Sequence, residues 1–555
     1  MQALLAARLD SLTPPERAVV ECASVEGRLF HRGSVAELVP EDVRPEVGAH
    51  LLALVRKEFV RPDRAQIPGD DGYRFAHILV RDAAHEGISK ELRAGLHERF
   101  VDWLERVAAD RLGELEEVVA YHLEQAALYR RELDLPDERE AGRRAAELLV
   151  RSGMRAYDRG DLPAAEHLLS RAVSLRPQGD RLRVRALPLL GATILDAAGG
   201  MERALDILGR ALDESRIAGD RAAEASAWAL RNLVRQQSEP ALDLEAMQRD
   251  VEKRAPEIER LGDGRALVYL RRLELSMALR RLSGLGAAAE RLLAAARSAG
   301  DRRNALEAVY FLNAWWVVGP MPVEEALAAT QRMRALAQGP AEEVAVGHME
   351  GLLLGMRGEL DEGRRLIREA RAAYAELGVT LTAVASARDE ALIERYAGDP
   401  AAVERVLRPA CDELREAGET GYLSTHVGEF ADALYELGRY GEAEEACLES
   451  ERLTQEGDIY SQVVWRRVRA KLLAQKGKGD EALRLAREAI EWAEKDMPEP
   501  LGDAYRDLAE VERTAGHAGR AEEALERALA TYERKGLVPM AERTRGELAT
   551  LRANV

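Results

Sequence analysis

Between Tyr73 and Ile88 the chain reads YRFAHILVRDAAHEGI, and His77, Arg81, Asp82 and His85 fall within nine residues of one another. Such side chains could ligate a metal, serve a nucleophile as acid and base, or meet a phosphate. A helix through the run would place His77, Arg81 and His85 at successive i, i+4 positions on one face, with Asp82 beside Arg81 and one turn before Glu86. Zinc helices carry histidines four apart, as in H-E-x-x-H. Here the two are eight apart with a cation between them, which excludes a metal site. Nucleophilic catalysis needs an activated Ser or Cys, and the nearby hydroxyls, Ser89 and Tyr73, stand in no G-x-S-x-G context. The run therefore offers no catalytic residue.

The surrounding composition points to helices. The 555 residues are rich in Ala, Leu, Arg and Glu, and only 5% are aromatic. A formal net charge of -18 repels phosphate backbones and anionic lipid, which argues against nucleic acid or membrane as the main partner. Cys22, Cys411 and Cys447 are too far apart for a disulfide framework or a zinc spacing, so a reducing cytoplasm is the expected location. The opening MQALLAARLDSL has an early acid and no basic region, and reads as an amphipathic helix, not a signal peptide. No apolar run approaches the roughly 20 residues that span a bilayer.

From residue 143 onward turn signals recur roughly 40 residues apart. They lie at Arg159–Asp161, Gly199–Gly200, Ser283–Gly284, Gly319–Pro320, Gly358–Glu359, Gly398–Pro400, Gly438–Arg439, Gly477–Gly479 and Gly516–His517. A second series falls between them, at Gly219, Gly262, Gly300, Gly339, Gly378, Gly418, Gly457 and Gly536. Each interval holds an amphipathic stretch, as in EEALERALATYERKG, where Ala524, Leu525, Ala528 and Leu529 form one apolar stripe. The unit is helix, turn, helix, turn. One such pair cannot bury its apolar face alone, so the pairs must stack into a solenoid.

The first unit, AAELLVRSGMRAYDRGDLPAAEHLLSRAVSLRP, resembles the tetratricopeptide repeat: Gly153, Ala165, Ala172 and Pro177 fall where that family has small residues and a terminal proline. Most units are longer and closer to the repeats in the sensor arm of the maltose-operon activator; between residues 225 and 260 only the period survives. The expected fold is all-α, a tetratricopeptide-type α-solenoid preceded by a small winged-helix domain with a short β-hairpin. A solenoid of this kind has a groove lined by the first helix of each pair. Counting from the turns places Arg271, Arg281, Trp316, His348, Arg388, Arg395, Arg467, Lys471, Arg506 and Arg513 on or near it. So many cations in an acidic chain point to an acidic peptide or anionic ligand as guest. Reversing Arg388 and Arg395 to Glu is then expected to weaken a partner and spare folding. Tyr310, Phe311, Trp315 and Trp316 read as core between repeats.

Residues 1–110 lack the repeat. Short helices are expected around Gln2–Leu12, Pro14–Val25, Ser34–Leu38 and Pro45–Phe59, followed by strands FVRP and YRFAH about a Pro-Gly-Asp-Asp-Gly turn, which is a winged-helix outline. Domain boundaries follow: a winged-helix domain over 1–110, a helical linker over 111–142 and the solenoid over 143–555.

The strings RFAHILVRDAAHEGI, ELRAGLHERFVDWLE and VVAYHLEQA resemble the winged-helix end of the switch ATPases called STAND, in particular the bacterial branch that joins adenylate or guanylate cyclase domains to an ATPase and a repeat tail. His77-x-Leu-Val-Arg-Asp is also similar to the Met-His-Asp motif of plant immune receptors, whose histidine touches the β-phosphate of ADP. That resemblance implies a nucleotide-sensing role for His77, with Ala76 and Ile78 replacing the motif's Met and Asp. No G-x-x-x-x-G-K-[ST] cradle and no cyclase-like aspartate pair occurs in the chain, and KGKGDEAL lacks both spacing and hydroxyl. No enzyme activity and no cofactor are expected.

The reading is a cytoplasmic, non-catalytic signalling module: a protein, peptide or inducer binds the groove, and the front domain couples this to an ATPase, in cis upstream or in trans. The alternative is the C-terminal part of a cyclase-linked ATP-binding protein continuing upstream of Met1. A third is a DNA-binding regulator, since LTPPERAVVECASVEG resembles the start of LuxR-type helix-turn-helix domains, although the acidic Ser34–Pro40 segment has little to reach base edges.

Overall fold

The computed structural model describes residues 8–135, 138–197, 200–238, 243–281, 284–337, 339–376, 380–455, 458–494 and 497–553. Contacts divide the chain into two compact units, Met1–Leu270 and Arg271–Val555.

The first unit opens with α1 (Pro14–Glu26), β1 (Leu29–His31), α2 (Arg32–Leu38), α3 (Val47–Arg56), β2 (Val60–Asp63), β3 (Gly72–Phe75) and α4 (Ile78–Glu86). Thr13 starts α1 with a reciprocal capping box to Glu16, and Pro14 sits where its missing N–H costs nothing. The sheet has three strands, not the two of the expected hairpin. β3 is central and antiparallel to both neighbours, with Leu29 opposite Arg74 and Val60 opposite Phe75. The three residues of β1 are too few to carry an alternating pattern. Gly72 is required where it stands, because a Cβ would lie 2.6 Å from the Ala65 amide nitrogen. Of the expected helix Gln2–Leu12, residues 2–7 lie outside the described residues.

Helices then follow one another: α5 (Lys90–Val107), α6 (Leu112–Glu132), α7 (Glu138–Asp158), α8 (Leu162–Ser174), α9 (Arg181–Asp196), α10 (Met201–Ala218), α11 (Arg221–Ser238), α12 (Leu244–Leu261) and α13 (Gly264–Arg281). The division between the units falls in α13. The second unit continues with α14 (Leu285–Ala299), α15 (Arg302–Val318), α16 (Val323–Ala335), α17 (Pro340–Arg357), α18 (Leu360–Glu376), α19 (Thr380–Ala385), α20 (Ala387–Ala397), α21 (Pro400–Glu416), α22 (Gly421–Glu436), α23 (Tyr440–Leu453), α24 (Ile459–Gln475), α25 (Gly479–Ala493), α26 (Pro498–Thr514), α27 (Ala518–Lys535) and α28 (Val538–Ala553). The fold is all-α, a tetratricopeptide-type solenoid of helical hairpins with one small sheet.

The Gly-Asp turn signals act as paired stop and start marks. Gly300 and Gly398 end α14 and α20 in the left-handed conformation, and the following Asp301 and Asp399 accept a first-turn amide of the next helix. Gly199, Ser283, Gly378 and Gly457 lie outside the described residues. Small residues set how closely a pair crosses. A Cβ on Gly153 would come within 2.8 Å of Leu169 Cγ, and one on Gly363 within 2.8 Å of the Gly351 carbonyl across α17 and α18.

In the second unit α22 packs on α24 and α24 on α26, while α28 returns against α17 and α20 as well as its own partner α27. First helices of successive pairs thus pack on one another, and α28 meets two of the earlier ones.

Candidate functional site

The opening histidines sit differently from a shared helix face. α4 begins at Ile78, so His77 is its cap in an extended conformation, and its Nδ1 accepts from the Leu79 amide at 3.2 Å. It is exposed. The i, i+4 geometry therefore holds only from Arg81 to His85. Arg81 donates through Nε to the Ser24 carbonyl at 2.9 Å and pairs with Asp82 at 3.2 Å, which ties α4 to α1.

His85 belongs to a cluster that reaches α5 and α6. The Nδ1 atoms of His97 and His122 lie 2.8 Å apart, and His97 is met edge to face by His85 and stacked by Tyr129, each at a ring-centroid distance of 6.0 Å. Two nitrogens at that distance share one proton, so both rings cannot be charged. Burial, then the positive field of Arg81 and Arg93, pushes His85 down to about 4; burial, then Arg81, pushes His122 down to about 3; His97 is held well below its ordinary value by burial and by His122. These are neutral, desolvated imidazoles. Among the described residues no group of three or more His, Cys, Asp or Glu is placed to hold a metal ion.

The groove candidates gather mainly in the second unit, where carboxylates from neighbouring helices already meet their charges. Arg467 and Lys471 stand one turn apart on α24. Arg467 reaches Asp507 at 2.8 Å and Asp432 at 2.9 Å, and Lys471 reaches Asp432 at 2.7 Å and Asp507 at 3.4 Å. Arg395 pairs with Glu499 and Asp503, whose Oδ1 also accepts from Tyr532 at 2.5 Å. Arg506 pairs with Glu547 at 2.9 Å. Burial opposes ionisation of Asp432, but Arg467 and Lys471 override it and hold the carboxyl well below its usual range. Burial pushes Asp507 up to about 6 against the pull of Lys471 and Arg467, because Asp432 crowds the same cations.

A second polar group lies on α17, α20 and α24. His348 Nε2 is 3.0 Å from Asp389, which also meets Arg388 at 3.3 Å, and the Arg388 guanidinium lies over the Tyr460 ring at 4.2 Å from its centroid. Tyr460 donates to Glu429 at 2.8 Å. Elsewhere, Arg271 pairs with Glu274 at 2.7 Å, Trp316 is buried in α15, and Arg513 is exposed at the end of α26. The side chain of Arg281 lies outside the described residues. Tyr310 and Phe311 meet edge to face at 5.4 Å, and Trp315 packs against the backbone of Gly286 and Gly319.

The structure thus assembles Arg388, Arg395, Arg467, Lys471 and Arg506 with internal counter-ions and does not present them as bare cations. Their counter-ions Glu429, Asp432, Glu499, Asp503 and Asp507 were missed from sequence. A signal existed: Lys471 and Asp432 are 39 residues apart and Arg467 and Asp507 are 40, one repeat in each case. Reversing Arg395 to Glu would set it against two buried carboxylates, so this change is expected to break the fold and not to spare it. A cavity of about 330 Å³ borders the network, lined among others by Arg395, Asp432, Glu436, Arg506, Arg543 and Glu547. Its walls carry charge of both signs.

No protein-family model matches the chain, and no curated protein matches it in sequence. Among solved structures it is similar to a Signal Transduction ATPase with Numerous Domains that has a tetratricopeptide repeat sensor, from Pyrococcus horikoshii, at 15% identity and TM-score 0.38 over 96% of this chain. The match spans 65% of that protein's length. It is also similar to a Rap protein complexed with Competence and Sporulation Factor, at 10% identity and TM-score 0.36 over 67% of this chain and 98% of the other. A third is an APC/C hetero-tetramer, at 13% identity and TM-score 0.37 over 84% and 91%. Among the described residues no helix is long and apolar enough to cross a membrane.

Proposed function

We propose that the chain is a non-catalytic interaction module of a signalling system, in which the inner face of the second unit receives a protein or peptide. The observation that carries this reading is the cavity at the ionic network, whose wall residues Asp432 and Arg506 are paired with Lys471 and Glu547, each about one repeat away. Preformed polar walls of this kind suit an extended or helical segment that brings its own charged groups.

The front part, residues 1–110, is proposed to be a winged-helix domain. Its order α1-β1-α2-α3-β2-β3, with an antiparallel sheet of order β1-β3-β2, supports this. Through the helices of 111–142 it would pass occupancy to a STAND-type ATPase in cis or in trans, as the resemblance around His77 implies. Since the cap occupies His77 Nδ1, a phosphate would be met by Nε2–H.

The test is selection from a displayed random-peptide library on the full chain. Enriched peptides should bind less well to Glu436→Lys, on the cavity wall, and as well to Arg484→Glu, exposed on the outer helix α25. Enrichment that survives Glu436→Lys and is lost with Arg484→Glu would place the guest elsewhere.

A further inference from the structure

The last helical pair does more than end the stack. Lys535, the final residue of α27, has no exposed surface, and its ammonium donates three hydrogen bonds of 2.8 Å to the carbonyls of Trp316, Gly319 and Met321. These carbonyls belong to the C-terminal end of α15 and the turn that follows, more than two hundred residues earlier. Gly536, left-handed at φ 83°, lies against Val323 at the start of α16. One turn into α28, Arg543 donates to the carbonyls of Arg395 and Tyr396 at 3.1 and 3.4 Å, at the C-terminal end of α20. Two cations thus cap the negative ends of two distant helices.

The apolar seam of this pair runs to its own neighbours: Leu548 clusters with Ala509 of α26 and with Ala521, Ala524 and Leu525 of α27. Toward α15 and α20 the hydrogen bonds are ammonium or guanidinium to carbonyl, beside the packing of Gly536 on Val323 and of α28 on α17 and α20. Those hydrogen bonds can be exchanged for water or for a guest's donors, whereas the apolar seam to α26 cannot. Lys535 itself is held in an unfavourable charged state, since burial pushes its ammonium down to about 7.

We infer that α27 and α28 form a latch that closes the inner face, held by Lys535 on the end of α15 and Arg543 on the end of α20, and released as one body when a polypeptide guest enters. This rests on the reading of the inner face as the guest site. Opening would widen the approach to the cavity that Arg543 and Glu547 help to line.

The first experiment needs no guest. In the full chain, Lys535→Gln combined with Arg543→Gln should speed amide exchange about tenfold or more at the ends of α15 and α20 and along α28, with the rest of the second unit unchanged. Exchange that stays the same everywhere, or rises evenly over residues 271–555, would overturn the latch. The second locks it. Val323→Cys with Gly536→Cys places two Cβ atoms about 3.4 Å apart, close enough for a disulfide. The oxidised form should lose library-selected peptides that the reduced form retains. Equal capture in both forms would contradict the latch. If neither form nor the natural chain captures any peptide, the guest reading fails, and the exchange experiment still decides the latch.

Discussion

Two buried polar clusters, one in each unit, are held by opposite means. In the first, His85, His97 and His122 are neutral, packed against Phe100, Tyr121 and Tyr129, and the cations Arg81 and Arg93 nearby help keep them so. In the second, Arg467 and Lys471 keep their charge by drawing carboxylates from the helices one repeat before and after, and Arg395 by drawing Glu499 and Asp503 of α26, more than a hundred residues on. A neutral cluster needs only desolvation, whereas a charged one needs matched partners on several helices at once. The histidine cluster should therefore weaken as pH falls from about 6.5 to about 4, and the ionic network should suffer most from removal of one partner.

The largest effect is expected from breaking the pairing. Arg467→Met leaves Asp432 and Asp507 to share Lys471 alone in the interior and should lower the stability of the second unit by about 3–5 kcal/mol, read as an earlier denaturant transition. The double change Arg467→Met, Asp507→Leu should recover part of that loss. Simple additivity would mean the two side chains are not coupled.

Next comes acid. Each of the three histidines has a folded-state value depressed below the ordinary value of about 6.5, so the unfolded chain binds more protons between that value and the depressed one. The stabilisation is full above about 6.5 and lost as pH falls toward about 4, the value for His85. Amide exchange along α4, α5 and α6 should accelerate over that window. Asp82 is the one carboxylate that acts on His85 in the opposite sense, and Asp82→Asn should accentuate the loss.

Overpacking a helix crossing comes third. Gly153→Val would drive a side chain into Leu169 and should cost about 1–3 kcal/mol, confined to the first unit. The smallest effect is at His77: His77→Ala removes a cap and should cost about 1 kcal/mol or less. If it unfolds the front of the chain, His77 is structural and its proposed role toward nucleotide loses its basis.

Helix identity and repeat period were legible because Gly-Asp pairs mark both a stop and a start, and because Gly153 and Ala165 could only suit a close crossing. β1 was not, since three residues carry no period. Among the candidate residues, Arg467, Lys471 and Arg395 are paired with carboxylates of neighbouring helices, and those partners were not legible. A cation on a helix face reads alike whether it faces water or a carboxylate on the next inner helix, and only the separation of 39 and 40 residues distinguishes the cases. The closure by Lys535 and Arg543 had no such signal, since its acceptors are backbone carbonyls, which every residue has.

Entry of a guest at the inner face is read by placing a photo-crosslinking residue at Glu436, on the cavity wall, or at Arg484, on the outer helix α25, and illuminating each full chain with a selected peptide. Adducts are expected from position 436 and none from 484. Adducts from 484 alone, or equal yields from both, would contradict it.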